Sequence, residues 1–112
     1  MTTITLNNGI RMPVLGFGTF QMGGAACTES VKAALEAGYR MIDTAEAYGN
    51  EEAVGAALAE SGVPREELFL ITKVNFRSYE NARAAVEASL NHLRTDCLDL
   101  VLLHWPFGNY YA

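Results

Sequence analysis

Four side chains in this sequence form a set that can move a proton onto a reacting oxygen: Asp43, Tyr48, Lys73 and His104. Three of them end apolar runs. Met41-Ile42 leads into Asp43, Phe69 to Thr72 into Lys73, and Leu98 to Leu103 into His104. Tyr48 follows Asp43 on the polar stretch Thr44 to Asn50. A phenol can give up a proton to an oxygen that is becoming negative, but free phenols, at a pKa of about 10, do so reluctantly near neutrality. An ammonium beside the phenol favours the phenolate that remains, by about 4 kcal/mol at ~4 Å and an effective dielectric of ~20. A carboxylate holds that ammonium in place and offsets part of its effect. A neutral imidazole can donate a hydrogen bond to the same reacting oxygen. Taken singly, each residue has a plainer reading: a turn aspartate, a packing tyrosine, a solvated lysine and a core histidine. His92 keeps that plain reading.

The elements that would position these groups alternate in type. Thr3–Leu6 and Ile10–Met12, joined by Asn7-Asn8-Gly9, predict a small hairpin with an Asn-Gly turn, ended by Pro13. Val14–Phe17 is expected as the first buried strand, followed by a glycine-rich loop from Gly18 to Gly24. A helix is expected over about 26–37, a strand over 40–44, and a second helix over 51–61 with Asn50 as its cap and Glu51 and Glu52 in its first turn. A third strand over 68–73, a third helix over about 79–93 capped by Ser78, and a fourth strand over 98–104 complete the series. Strands with continuous apolar runs, alternating with helices, imply a parallel sheet covered by helices. The unit recurs about every 30 residues, and four units are half of an eight-stranded barrel, for which ~250 residues is typical. The fold class expected is therefore α/β: a hairpin and four βα-type units, the N-terminal half of a TIM-type (β/α)8 barrel, with 1–112 as one partial domain.

Composition narrows the function classes. Of the 112 residues, 50% are hydrophobic and 19% charged, which is globular rather than disordered. The net charge of −5 and the absence of a basic cluster argue against nucleic acid as partner. No apolar run approaches the ~20 residues of a membrane span, and residues 1–24 show no secretory leader pattern. Cys27 and Cys97 lie far apart without metal-ligand spacing, so two reduced, core or semi-buried thiols, no metal and a cytoplasmic location are expected.

Four stretches stand out as motifs: Gly16 to Thr19, Tyr39 to Asn50 with Glu52, Ile71 to Lys73, and Leu102 to Pro106. In them the sequence resembles the aldo-keto reductases, over essentially its whole length. Gly16-Phe17-Gly18-Thr19 is similar to the family's opening strand end. Tyr39 to Asn50, with Glu52 continuing it, is similar to the most specific family segment, and Ile71-Thr72-Lys73 and Leu102 to Pro106 match two further ones. The resemblance implies a catalytic tetrad of Asp43, Tyr48, Lys73 and His104, with Tyr48 as proton donor in NADPH-dependent reduction of a small aldehyde or ketone, NADH being possible. It also implies cofactor contacts at Gly18, Thr19 and Asp43, and a substrate pocket walled by Phe20, Tyr48, His104 and Trp105.

Val14 to Thr19 followed by Asp43 also imitates a dinucleotide-binding Rossmann fingerprint. That reading fails because Gln21 stands at the third glycine position and Gly23-Gly24 separate the loop from the helix. The chain is short for the family, whose resemblance places most adenosine and phosphate contacts in a second half. The expectation is a truncated N-terminal fragment, inactive alone, whose open strand edges are covered by the missing C-terminal half or by a second copy. A non-enzymatic, self-associating half-barrel or binding subunit is the alternative.

Overall fold

The computed structural model describes residues 2–106; the chain end at 108–112 lies outside them. Two short strands, β1 (Thr3–Thr5) and β2 (Arg11–Pro13), pair antiparallel with Thr5 opposite Arg11. The turn between them differs from a two-residue Asn-Gly loop. Leu6 accepts from the Gly9 N–H, so Asn8-Gly9 sits one residue later, and Gly9 at φ +87° takes the left-handed position that lets the strands rejoin. Pro13 is the last residue of β2 and ends the hairpin there.

The main sheet has four parallel strands in sequential order: β3 (Gly16–Gly18), β4 (Met41–Asp43), β5 (Phe69–Val74) and β6 (Leu100–Leu103). Register sets Gly18 opposite Asp43, Asp43 opposite Ile71, and Lys73 opposite Leu102. Helices α1 (Gly24–Glu36), α2 (Glu51–Ser61) and α3 (Ala82–Leu93) are the crossovers. Sequential parallel order with a helix between successive strands is the winding of a (β/α)8 barrel followed halfway round.

Strand alternation sorts the side chains between two cores. Ile42 and Leu70 face the helices and pack with Val31, Leu35, Val54 and Leu93. Each such fully buried aliphatic side chain contributes roughly 1.5–3 kcal/mol. Met41, Phe69 and Ile71 face the other way and pack with Leu100 and with Leu6 and Met12 of the hairpin. The hairpin thus plugs the N-terminal end of the concave face. Asp43, Lys73 and His104 share the parity of that face and lie at its other end.

Several elements differ from expectation. The first strand of this sheet begins at Gly16, and Val14 and Leu15 are exposed rather than buried, because they form the bend between β2 and β3 and belong to neither strand. Residues 76–81 form a 3-10 segment, and α3 starts only at Ala82. Ser78 does not cap it, since its hydroxyl donates to Glu46. Asn50 precedes α2 but makes no side-chain cap, because its amide is enclosed elsewhere. Cys27 is buried, whereas Cys97 is exposed rather than semi-buried.

Candidate active site

The C-terminal rim of the sheet gathers the four ionisable groups. Lys73 projects from the end of β5 with its side chain 13% exposed, beside Asp43 at 41%. Its ammonium donates to Asp43 Oδ1 at 2.6 Å, to the Thr44 carbonyl at 2.9 Å and to Tyr48 Oη at 3.4 Å. An ammonium has three protons, so all are engaged, and the phenol oxygen accepts. The proton of Tyr48 is left to point away from Lys73.

Tyr48 rides on a short 3-10 turn, Glu46–Tyr48, closed by Gly49 in the left-handed region at φ +66°. That conformation lets the chain reverse directly into α2. The Tyr48 ring meets Phe20 at 5.2 Å between centroids and His104 edge-on at 5.6 Å. His104 stacks on Trp105 with the rings 6° from parallel and 5.5 Å apart. Phe20 is 64% exposed and Trp105 55%, so two large aromatic surfaces flank the phenol on the open side of the rim.

His104 closes the group. Burial pushes its imidazole below the usual histidine range, Lys73 pushes the same way, and Asp43 pulls partly back. The ring is therefore neutral at pH 7, with one nitrogen able to donate. Its Nδ1 is buried without a partner among the described residues.

A second polar network underlies the rim. Asn50 donates to the carbonyls of Thr19 at 2.7 Å and Met22 at 2.8 Å, and accepts from Thr44 Oγ1 at 3.1 Å. Thr19 donates through its hydroxyl to Thr44 Oγ1 and through its N–H to the Asp43 carbonyl. Thr19 is wholly buried, and its hydroxyl, N–H and carbonyl each have a protein partner. Gly18 has open space where a Cβ would stand. The structure thus brings Asp43, Tyr48, Lys73, His104, Phe20 and Trp105 together around one opening and sets Thr19 beneath it. No local pattern encodes the inward turn of Asn50, because the carbonyls its amide donates to, on Thr19 and Met22, lie about thirty residues away. Among the described residues no group of three or more His, Cys, Asp or Glu side chains is arranged to hold a metal.

With this geometry in view, the likeness to known proteins is specific. The pattern of the aldo/keto reductase family matches residues 14–111. The chain belongs to that family. It is 51% identical over 109 residues to an aldo-keto reductase of Mycolicibacterium vanbaalenii, covering 96% of this chain and 39% of that protein. It is 53% identical over 107 residues to a glyoxal reductase of Bacillus subtilis, again covering 39% of the relative. Among solved structures, an aldo-keto reductase from a Medee basin deep-sea metagenome library superposes with a TM-score of 0.90 at 48% identity, over 94% of this chain and 39% of that one. The aldose reductase of Schistosoma japonicum superposes at 0.88 and 39% identity, over 95% and 37%. The fold is therefore part of the aldo-keto reductase α/β barrel, and the chain spans about two fifths of the length of the relatives it matches.

Proposed function

We propose that this chain carries the catalytic rim of an NAD(P)H-dependent carbonyl reductase, with NADPH as cofactor, NADH being the alternative, and a small aldehyde or ketone as substrate. The observation that carries the reading is the Lys73 ammonium lying between the Asp43 carboxylate and the Tyr48 phenol oxygen. The cofactor, when bound, supplies the hydride that reaches the carbonyl carbon. Gly18 and Asp43, at the open edge of the rim, would border it, and the unpartnered His104 Nδ1 fits a site completed by a bound group.

The chain's own residues then do the remaining work. Tyr48 delivers its proton to the carbonyl oxygen as negative charge develops there. Lys73 stabilises the resulting phenolate, and Asp43 and the Thr44 carbonyl fix the ammonium so that it does so without reorganising. Neutral His104 donates to the same oxygen and orients it. Phe20 and Trp105 shield the reacting atoms from water.

The 112 residues are proposed as the N-terminal half of the barrel of a cytoplasmic enzyme, inactive alone because most of the relatives' length has no counterpart here. Val101, Leu102 and Leu103 of β6 are exposed and line an apolar groove with Val74 and Val86. A bare apolar strand edge is a strong pairing surface. The rest of the barrel is proposed to cover it, with a second copy of this chain as the other occupant. In the full-length protein, Tyr48→Phe should lower aldehyde-dependent NADPH oxidation by about 10²-fold or more, the range general acid catalysis supplies. Near-normal turnover would overturn the assignment.

A further inference from the structure

The Lys73–Tyr48 contact, at 3.4 Å, is too long to hold the phenol in place by itself. The turn that carries Tyr48 has three residues and ends in a left-handed glycine, a conformation with little stiffness of its own. Something else must fix its height above the sheet. Glu46, the first residue of that turn, reaches across to the chain beyond β5. Its Oε1 accepts from the Asn75 N–H at 2.9 Å and its Oε2 from the Ser78 hydroxyl at 3.0 Å. Asn75 is two residues past Lys73, and Glu46 two residues before Tyr48. One carboxylate therefore links the backbone that carries the ammonium to the backbone that carries the phenol.

The segment it grips is held at a second point. Tyr79, next to Ser78, accepts from the Trp105 N–H at 2.7 Å and donates to the Trp105 carbonyl. Trp105 stacks on His104. Residues 76–81 thus brace the rim from outside, tied through Glu46 to the Tyr48 turn and through Tyr79 to the strand end bearing His104.

We infer that Glu46 is a positioning residue, acting through the Asn75–Tyr79 segment to set the distance between the Tyr48 hydroxyl and the Lys73 ammonium. The inference rests on the proposed role of Tyr48 as proton donor. Glu46 touches neither Lys73 nor the phenol, so its effect is on geometry. A misplacement of ~1 Å at a reacting group costs up to about 10²-fold in rate. Charge is not the essential property, because both partners are neutral donors. Glutamine keeps an acceptor for Asn75, and the Ser78 hydroxyl can rotate to accept from the new amide.

The test uses the full-length protein containing this chain, in single-turnover experiments with NADPH and methylglyoxal that isolate the chemical step from product release. Glu46→Ala should slow the single-turnover rate roughly 10- to 100-fold, leaving NADPH affinity and KM for the aldehyde within about 3-fold of the parent. Glu46→Gln should recover to within about 3-fold of the parent rate. Ser78→Ala, which removes one grip from the opposite side, should fall between the parent and Glu46→Ala, and should have little further effect when added to it. Tyr48→Phe is measured alongside. If Tyr48→Phe abolishes turnover while folded Glu46→Ala keeps the parent rate, the positioning role is wrong and the donor assignment stands. If Tyr48→Phe turns over normally, the donor assignment itself fails. Should Glu46→Ala not fold, Ser78→Ala decides: an unchanged single-turnover rate overturns the inference, and a slowed rate with unchanged KM supports it.

Discussion

Two carboxylates lie on opposite faces of β5 and serve opposite ends. Glu51, at the start of α2, is 4% exposed. It accepts from the hydroxyls of Thr72 at 2.6 Å and Ser89 at 3.1 Å, with His92 Nδ1 at 3.5 Å. It fastens α2 and α3 to the strand between them. Asp43 is 41% exposed and holds Lys73, the residue next to Thr72, on the other face. A carboxylate surrounded by neutral donors in a dry layer becomes a rivet, since every bond it makes is structural. A carboxylate at a wet rim beside a cation tunes a charge that the solvent side can reach. The same functional group is turned toward stability or toward the proposed chemistry by one step along a strand.

If that division holds, substitutions on the two faces should have separable effects. In the full-length protein, Lys73→Met should reduce kcat with an aldehyde by about 10²- to 10⁴-fold, the scale of general acid–base assistance. Its denaturation midpoint should move less than that of a variant on the other face. Comparable losses of stability and activity would blur the distinction. Glu51→Ala should remove about 1–3 kcal/mol from the unfolding free energy, because the buried Thr72 and Ser89 hydroxyls lose their acceptor. Urea titration measures it, and kcat in the surviving folded protein should stay within a few-fold. The smallest effect belongs to His104. Its ring is held below the usual range of about 6.5, so the folded protein binds fewer protons there than the unfolded chain does. The ring's contribution to stability is therefore complete above about pH 6.5 and is lost as the pH falls from there toward the lowered value. NMR titration of the ring signals should give a midpoint below 6.5, and Lys73→Met should raise it. A midpoint unmoved by Lys73→Met would detach His104 from the Asp43 side of the strand.

Much of this arrangement is legible in the chain, for a definite reason. Asp43, Lys73 and His104 follow apolar runs, and a polar residue ending such a run marks the strand's exit from the core. Alternation within Phe69–Val74 then assigns faces without reference to anything distant. The bracing contacts are different in kind. Asn50 has the composition of a helix cap, yet Thr19 and Met22 claim its amide across about thirty residues. Ser78 has the same local signature, yet Glu46 claims its hydroxyl. Capping preference reports only the cost of leaving the first helical amides unpaired, and a tertiary partner of similar strength outcompetes it. Val14 and Leu15 mislead in the opposite sense: apolar character suggests burial, but they form the bend ahead of β3 and are exposed. Local patterns encode where a chain goes in and out of the core; the contacts that set ångström-scale geometry are written in pairs of distant residues.

The alternation along β5 behaves like a reading frame. Thr72 and Lys73 occupy successive places in it, one read by Glu51 and the other by Asp43. Losing a single residue from the strand ahead of them, with its hydrogen-bonding register retained, would turn the lysine outward to Glu51 and bring Val74 inward to Asp43. The displaced lysine would find a carboxylate waiting, so the helix layer could absorb the error while the rim lost its ammonium. A frameshift of this kind would erase the proposed chemistry. Length changes in such a protein are therefore silent only in the loops, where the frame is not kept.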